Sequence, residues 1–378
     1  MIGPFTIDTY LPSFPDIETE FAISRALLTQ SLAAYLIAFA VSTLVLGPLA
    51  DRLGRRLIIL GTLIIYVLAS IGCASAGDYT TFLGFRLLQG AAAGGGLVAG
   101  RAMIRDVYNP RDAQKAMSRV MMLFGLAPAV APVIGGWLHD AFGWHSVFYF
   151  LAIYGSAIFF LILLRIPETL ALAKRQSIHP FNVARVYVRT LTHRRFQFLV
   201  FIVACYFGGM FMYVAGAPTV IFDFLHLDSN DFAVLFIPMV VGLISGAWIS
   251  GRLAHSRGAE HTTRIALLVM ALGTLSNSAQ ALWLTPSVVT AIAPLVIYTI
   301  GIGMAMPAMT VLSLDCFPDN RGSASAMQGF IQMLGNAFIS SIAVPFLSVE
   351  PGWLALGQTL LILIAWLLWR HLPAASER

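Results

Sequence analysis

Apolar stretches long enough to cross a bilayer recur from one end of the chain to the other. A spanning helix needs ~20 predominantly apolar residues, so with a short connection each crossing takes roughly 30 residues. Twelve such stretches can be read in the 378 residues: 1–15, 29–50, 57–76, 80–103, 118–138, 145–164, 196–217, 232–252, 264–284, 288–314, 322–346 and 352–370. Composition agrees. The chain is 58% apolar and 11% charged, where a soluble domain runs to about 45–50% and about 25%. No water-soluble fold buries that much apolar surface, which excludes a soluble enzyme, a nucleic-acid binder and a disordered chain. The sequence predicts an all-α membrane protein of twelve transmembrane helices.

Charge placement gives an independent test of the count. The even-numbered connections and the C-terminus hold 21 of the 23 basic residues; Arg25 lies on the other side, and Arg86 lies within a span. Basic residues collect on the cytoplasmic side of a membrane, so both termini are expected there, and the net charge of +5 needs no nucleic-acid partner. The longest connection, 165–195, is polar and basic and divides the chain into an N-terminal six-helix half, 1–164, and a C-terminal half, 196–378. Leu49-Ala50-Asp51-Arg52-Leu53-Gly54 lines up 200 residues later with Ile249-Ser250-Gly251-Arg252-Leu253-Ala254, as expected of two pseudo-symmetric halves. Only about fifteen residues precede Asp16 in span 1, so the start of that helix is expected to be missing.

Several residues stand out chemically. Asp8 is a carboxylate inside an apolar stretch, and on the 200-residue offset its counterpart is Gly208. Burial penalises its charged form, and an intramembrane acid marks a transport pathway or proton relay. Arg86 needs a partner or a water-filled cavity at its depth; Asp8, Gln89 or a backbone carbonyl are the candidates. Tyr10, Tyr35, Tyr206, Tyr213, Gln332 and Asn336 are polar groups within spans and candidates for a cavity, the last two one turn apart on one face. Pro128, Pro132, Gly135 and Gly136 give span 5 a kink and a smooth face. Cys73, Cys205 and Cys316 lie in or beside apolar stretches and form neither a CxxC nor a Cys/His pattern, so no metal site or disulfide is expected. The Gly-rich run from Gly90 to Gly96 is not followed by a Gly-Lys-Ser, so no nucleotide cofactor is expected.

Gly47-Pro48-Leu49-Ala50-Asp51-Arg52-Leu53-Gly54-Arg55-Arg56 resembles the G-x-L-a-D-r-x-G-r-r/k signature between spans 2 and 3 of the major facilitator superfamily. Arg86-Leu87-Leu88-Gln89-Gly90 is similar to the family's R-x-x-Q-G. Pro128 with Pro132-Val133-Ile134-Gly135-Gly136 is similar to the antiporter motif G-P-x-x-G-G, with Ala131 where the motif has Gly. Pro167-Glu168-Thr169-Leu170 after span 6 also resembles the superfamily. Asp8-Thr9-Tyr10-Leu11-Pro12, Tyr213-Val214-Ala215-Gly216-Ala217-Pro218 and Gly322-Ser323-Ala324-Ser325-Ala326 look like the Bcr/CflA group of drug:proton antiporters.

The resemblance implies the major facilitator fold and proton-coupled efflux of small amphipathic drugs by alternating access. The location would be the bacterial inner membrane and the state a monomer in the bilayer, with a drug-like molecule and protons as partners. It implies that Asp8 and Arg86 couple the proton, Arg86 acting on a nearby acid. Gly47, Asp51, Arg52, Gly54 and Arg55 would form a conformational latch in which Asp51 meets the start of span 11; an anion at a helix N-terminus gains typically 0.3–1 kcal/mol. The alternative within the superfamily is a carrier of a small polar metabolite such as an amino acid or sugar. A membrane-embedded enzyme would need paired catalytic groups, and no HExxH or Ser/His set is present.

Overall fold

The structure is a computed structural model describing residues 2–171, 175, 187–188, 190–284, 287–317 and 321–373. Helix boundaries follow local chemistry. Side-chain caps open α3 (Arg25–Leu53), where Ser24 accepts from the Leu27 N–H at 3.3 Å, and α5 (Tyr79–Val107), where Asp78 accepts from Thr81 at 2.9 Å. Asn109 accepts from the Asp112 N–H at 3.0 Å to open α6 (Pro110–Phe142), with Pro110 at the first helical position. Each such cap satisfies backbone donors that the first turn leaves unpaired. Glycines with positive φ turn the chain between helices. Gly54 (φ 112°) separates α3 from α4 (Arg55–Ala74), and Gly143 (φ 77°) separates α6 from α7 (Trp144–Arg165).

The chain falls into two compact units, Met1–Arg185 and Val186–Arg378. Unit 1 begins with a broken span: α1 (Ile2–Asp8), a 3-10 turn at Leu11–Ser13 carrying Pro12, and α2 (Phe14–Glu20). The helical path thus continues five residues beyond the predicted boundary at 15 and takes Asp16 into its second half. Ring packing of Tyr10, Phe14, Phe82, Trp144 and Phe148 fills the interior beside the break. Each such aromatic pair adds ~0.5–1.5 kcal/mol beyond the area it buries.

Unit 2 holds α8 (Arg194–Ala215), a π-helical turn (Thr219–Phe224) and the long α9 (Phe232–Trp283), which is broken at Gly258 (φ 73°) into two arms. After these come α10 (Val288–Asp315), α11 (Arg321–Phe338), a second π-helical turn (Ile339–Ala343), α12 (Val344–Leu347) and α13 (Pro351–Arg370). Its core joins Leu199, Ile202 and Tyr206 of α8 to Met270, Tyr298, Ile302 and Ile362. Gly54 and Gly258 play the same part in the two units, breaking the helix after its second long span. The repeat is therefore marked structurally four residues beyond Ala254, which the sequence match had set opposite Gly54.

Among the described residues ten helical segments are long and apolar enough to cross a membrane. The other two predicted spans correspond to the broken run from α1 to α2 and to α6. Large apolar side chains point outward along these helices: Leu164 is 76% exposed and Ile153 69%, and Trp283 at a helix end is 81% exposed. An aqueous surface would not tolerate such continuous apolar faces; a lipid-facing surface with aromatic residues at the helix ends accounts for them.

Candidate functional site

The break between α1 and α2 sets Tyr10 beneath Arg86, while among the described residues no hydrogen bond or ion pair joins Asp8 to Arg86. Asp8 ends α1 and is 3% exposed. It makes no hydrogen bond or ion pair with any described residue. Arg86, on α5, is wholly buried. Of the partners the sequence allowed, it takes Gln89, to whose Oε1 it donates at 2.6 Å. The relay continues from Gln89 Nε2 to Ser70 Oγ (2.8 Å) and from Ser70 to the Tyr66 carbonyl (2.8 Å). The guanidinium carbon sits 4.4 Å from the Tyr10 ring centroid, 4.8 Å from that of Tyr35 and 5.9 Å from that of Phe148. Cation–π contacts of this kind reach ~2 kcal/mol when desolvated. Yet Arg86 Nε and Nη2, and the Tyr35 hydroxyl, are buried without a hydrogen-bond partner among the described residues.

A second strand of polar contacts ties α1 to α4. Thr6 donates to the Ile2 carbonyl at 2.8 Å, so the 2.6 Å contact between Thr6 Oγ1 and the Tyr66 hydroxyl has Tyr66 as donor. Tyr10 meets Ser31 at 3.3 Å. Thr6 and Ser70 were not singled out from the sequence, because a Thr or Ser hydroxyl in a helix bonds its own backbone so readily that it carries little signal; Tyr66 was missed although it carries the same signal as Tyr10 and Tyr35.

Of the antiporter-motif residues, Pro132, Gly135 and Gly136 are buried and Pro128 is half-buried. Gly135 lies against the break in span 1: a Cβ added there would sit 1.8 Å from the Thr9 carbonyl oxygen. Gly90 is packed as closely, its Cβ position 2.2 Å from the Tyr35 carbonyl oxygen. Gly90 thus sets the approach of the helix that carries Arg86 to the one that carries Tyr35, and Gly135 the approach of α6 to the segment after Asp8.

The latch residues gather at the end of unit 1 where α3 turns into α4. Arg55 is 8% exposed and pairs with both Asp51 and Asp106, the latter at 3.2 Å. Thr169 donates to the same Asp106 carboxylate at 3.2 Å. Glu168 accepts the backbone N–H groups of Arg55 (3.0 Å), Arg56 (3.1 Å) and Leu170 (2.9 Å), and so caps the start of α4. A Cβ on Gly54 would lie 2.5 Å from Glu168 Oε2, so its missing side chain and its positive φ are both required here. Gly47 packs less tightly, since a Cβ added there would lie 3.3 Å from the Val98 side chain, and Arg52 is exposed. The expected partner of Asp51, at the start of span 11, adjoins residues 318–320, which lie outside the described residues. Asp106 was missed, although a lone acid among basic residues is the signal that pointed to Asp51.

Partial burial works against the Glu168 anion, but the N–H donors of Leu170, Arg55 and Arg56 outweigh it and hold the carboxyl below its usual range. A depressed value means that the cap contributes fully above the unfolded value near 4.5 and is lost as pH falls through the folded one. Glu168→Gln is expected to weaken this cap at neutral pH by ~1 kcal/mol. Amide hydrogen exchange at Arg55 and Arg56 should then be roughly fivefold faster than in the wild type, with the difference shrinking below about pH 4.

In unit 2 the predicted cavity residues divide. Tyr206 is buried with its hydroxyl unpartnered, while its carbonyl accepts from Tyr298 at 2.6 Å. Asn336 is buried with Oδ1 unpartnered, and Gln332, one turn earlier, is half-buried. Tyr213 accepts from Asn277 Nδ2 at 2.6 Å; the same nitrogen donates to Gln358 Oε1 at 3.0 Å, and Gln358 donates to the Gly209 carbonyl at 3.2 Å. Asn277, Tyr298 and Gln358 were missed, although polar side chains inside apolar spans are visible in the sequence.

The profile of the Major Facilitator Superfamily matches residues 1–340. The chain belongs to this superfamily. It is a multi-pass membrane transporter, not an enzyme. It is 34% identical over 344 residues to an uncharacterized MFS-type transporter, YdgK, of Bacillus subtilis (strain 168), covering 90% of this chain and 85% of that protein. It is 27% identical over 351 residues to the bicyclomycin resistance protein homolog of Haemophilus influenzae (strain ATCC 51907 / DSM 11121 / KW20 / Rd), covering 90% and 86%. Among solved structures, the D-xylose–proton symporter superposes with a TM-score of 0.74 over 99% of this chain and 96% of that one, at 18% identity, a likeness of fold alone. The drug-resistance kinship that the D-x-Y-L-P stretch implied is thus met among its relatives.

Proposed function

We propose that this transporter exports small amphipathic drugs across the bacterial inner membrane in exchange for protons, with both termini in the cytoplasm. The observation that carries the proposal is Asp8, buried at the break of span 1 with no ionic or hydrogen-bonding partner among the described residues. An unpaired carboxylate in an apolar interior is costly as an anion, so Asp8 holds its proton until the site opens to water or a substrate meets it. Arg86 supports this role. Its two donor nitrogens without a partner among the described residues leave capacity to stabilise a carboxylate that has lost its proton. The bicyclomycin resistance relative supports drugs as cargo. The 21 basic residues on the predicted inner side support the orientation.

In the proposed cycle Asp8 loads a proton from the outer side and releases it inside, where drug binding and proton loss are linked. Drug binds in the inward-facing state, and the groups expected to contact it are Tyr10, Tyr35 and Gln89 within unit 1 and Tyr206, Tyr213, Gln332 and Asn336 within unit 2. The Asp51–Arg55–Asp106 cluster acts as the latch that biases the inward/outward balance. The test is purified protein in liposomes with an imposed pH gradient, screened against a panel of neutral and cationic drugs and, as a control, sugars and amino acids. Drug movement coupled to the gradient supports the proposal. Movement of only a polar metabolite would overturn it.

A further inference from the structure

Helix α11 of unit 2 carries a continuous polar face. Ser325, Gln328, Gly329, Gln332 and Asn336 recur at three- and four-residue spacing, which sets them along one side of the helix. The residues between them turn elsewhere. Ala324 and Met327 pack with Phe196 and Val200 of α8, and a Cβ on Gly335 would lie 3.4 Å from the Ala204 side chain of that helix. Phe338, about half a turn around from Asn336, is 57% exposed and belongs to the lipid-facing surface. The polar face itself is open: a Cβ added at Gly329 would meet no atom within 4 Å.

The hydrogen-bonding capacity of this face is unspent. Gln328 and Gln332 are half-buried and make no hydrogen bond among the described residues. Asn336 is 4% exposed, and its Oδ1 has no partner among the described residues. Lipid tails offer no hydrogen bond, so polar groups at membrane depth are tolerated where they meet protein, water or a polar ligand and not where they meet hydrocarbon. Three carboxamides on successive turns therefore point to something polar in front of them. Their chemistry narrows what it is. A carboxamide both donates and accepts, so the face matches a molecule that carries its own N–H, O–H and C=O groups. No charged residue occurs from Ala324 to Phe338. A cation or an anion would find no counter-charge there, and a charge held away from water without one is costly.

We propose that this face of α11 binds the transported molecule and selects neutral compounds bearing amide or hydroxyl groups, with Ser325 and Gln328 joining Gln332 and Asn336 as specificity-determining residues. The inference rests on the reading of the chain as a drug exporter, but not on how export is coupled to protons. The experiment uses the full chain in nanodiscs carrying Gly329→Cys, at one pH and without a gradient. Maleimide alkylation at that position is followed by peptide mass spectrometry, which separates it from Cys73, Cys205 and Cys316. One probe is chloramphenicol, a neutral amide with two hydroxyl groups. The other is tetraphenylphosphonium, an apolar cation without a hydrogen-bonding group. At three times its half-saturating concentration chloramphenicol should slow alkylation about fourfold, as occupancy by mass action requires, while the cation at the same concentration leaves the rate unchanged. Gln328→Leu, close in size but without hydrogen-bonding groups, should raise the half-saturating concentration roughly three- to tenfold. Phe338→Leu, on the opposite side of the helix, should not change it. Asp8→Asn should show the same protection, so that a failure of proton coupling and a failure of this inference are read separately. No alkylation in the absence of probe, no protection, equal protection by the cation, indifference to Gln328→Leu, or loss of protection with Asp8→Asn would each overturn the proposal.

Discussion

Gly135→Ala is expected to unfold the packing around Asp8 rather than adjust it. The new methyl carbon would start 1.8 Å from the Thr9 carbonyl oxygen, and the obstacle is backbone, which no rotamer change can move aside. Helix α6 or the break after α1 must shift by more than 1 Å. Overpacking costs about 1–3 kcal/mol where neighbours can give and more where they cannot. A melting temperature lower by roughly 5–10 °C in detergent follows for a unit of this size, together with loss of transport, because the shift displaces Asp8 and Tyr10. Gly61→Ala is the control. That glycine faces open space within α4, so its replacement should leave melting and transport unchanged or slightly improve stability. Equal melting of the two variants would show that the close approach at Gly135 is not needed.

Asp8→Asn is expected to abolish drug efflux driven by a pH gradient while leaving the protein folded in the membrane. Asparagine has the shape of the protonated carboxyl and cannot lose the proton. Its burial should be tolerated, because the native carboxyl already sits there buried and without an ion pair among the described residues. The variant should still bind a neutral drug, but the pH dependence of that binding should flatten. Transport in liposomes with an imposed gradient should fall to the level of protein-free vesicles. Counterflow, which exchanges drug for drug without net proton movement, should persist. That pattern distinguishes loss of coupling from loss of fold, since a misfolded variant would fail in both assays.

How far the sequence reached depended on the kind of interaction. The spans were legible because a bilayer demands ~20 apolar residues per crossing, and α3, α4, α7, α8 and α13 fall where such stretches stand. Helix ends were less legible. α6 extends from Pro110 to Phe142, well beyond the apolar stretch 118–138, because its ends are set by an Asn109 cap and a Gly143 turn rather than by hydropathy. Asp8 and Arg86 stood out because charge inside an apolar span is rare. Their surroundings did not: Gln89, one turn from Arg86 on the same helix, was among the candidate partners, but that Arg86 lies over Tyr10 and Tyr35 depends on contacts between helices distant in sequence. Glu168 was visible within Pro167-Glu168-Thr169-Leu170, but its role in capping α4 across more than a hundred residues was not. Asn277 and Gln358 carried the same signal as Gln332 and Asn336, and only packing shows which amides meet.

The central claim, that one buried carboxylate exchanges a proton against drug, is tested most directly by proton release. Detergent-solubilised protein in weak buffer, near the pH at which transport is half-maximal, is mixed with a saturating transported drug while a pH indicator is followed. Wild-type protein should release protons on drug addition, and Asp8→Asn should release none while still binding the drug. Proton release from Asp8→Asn equal to that of the wild type would place the coupling carboxylate elsewhere and contradict the mechanism.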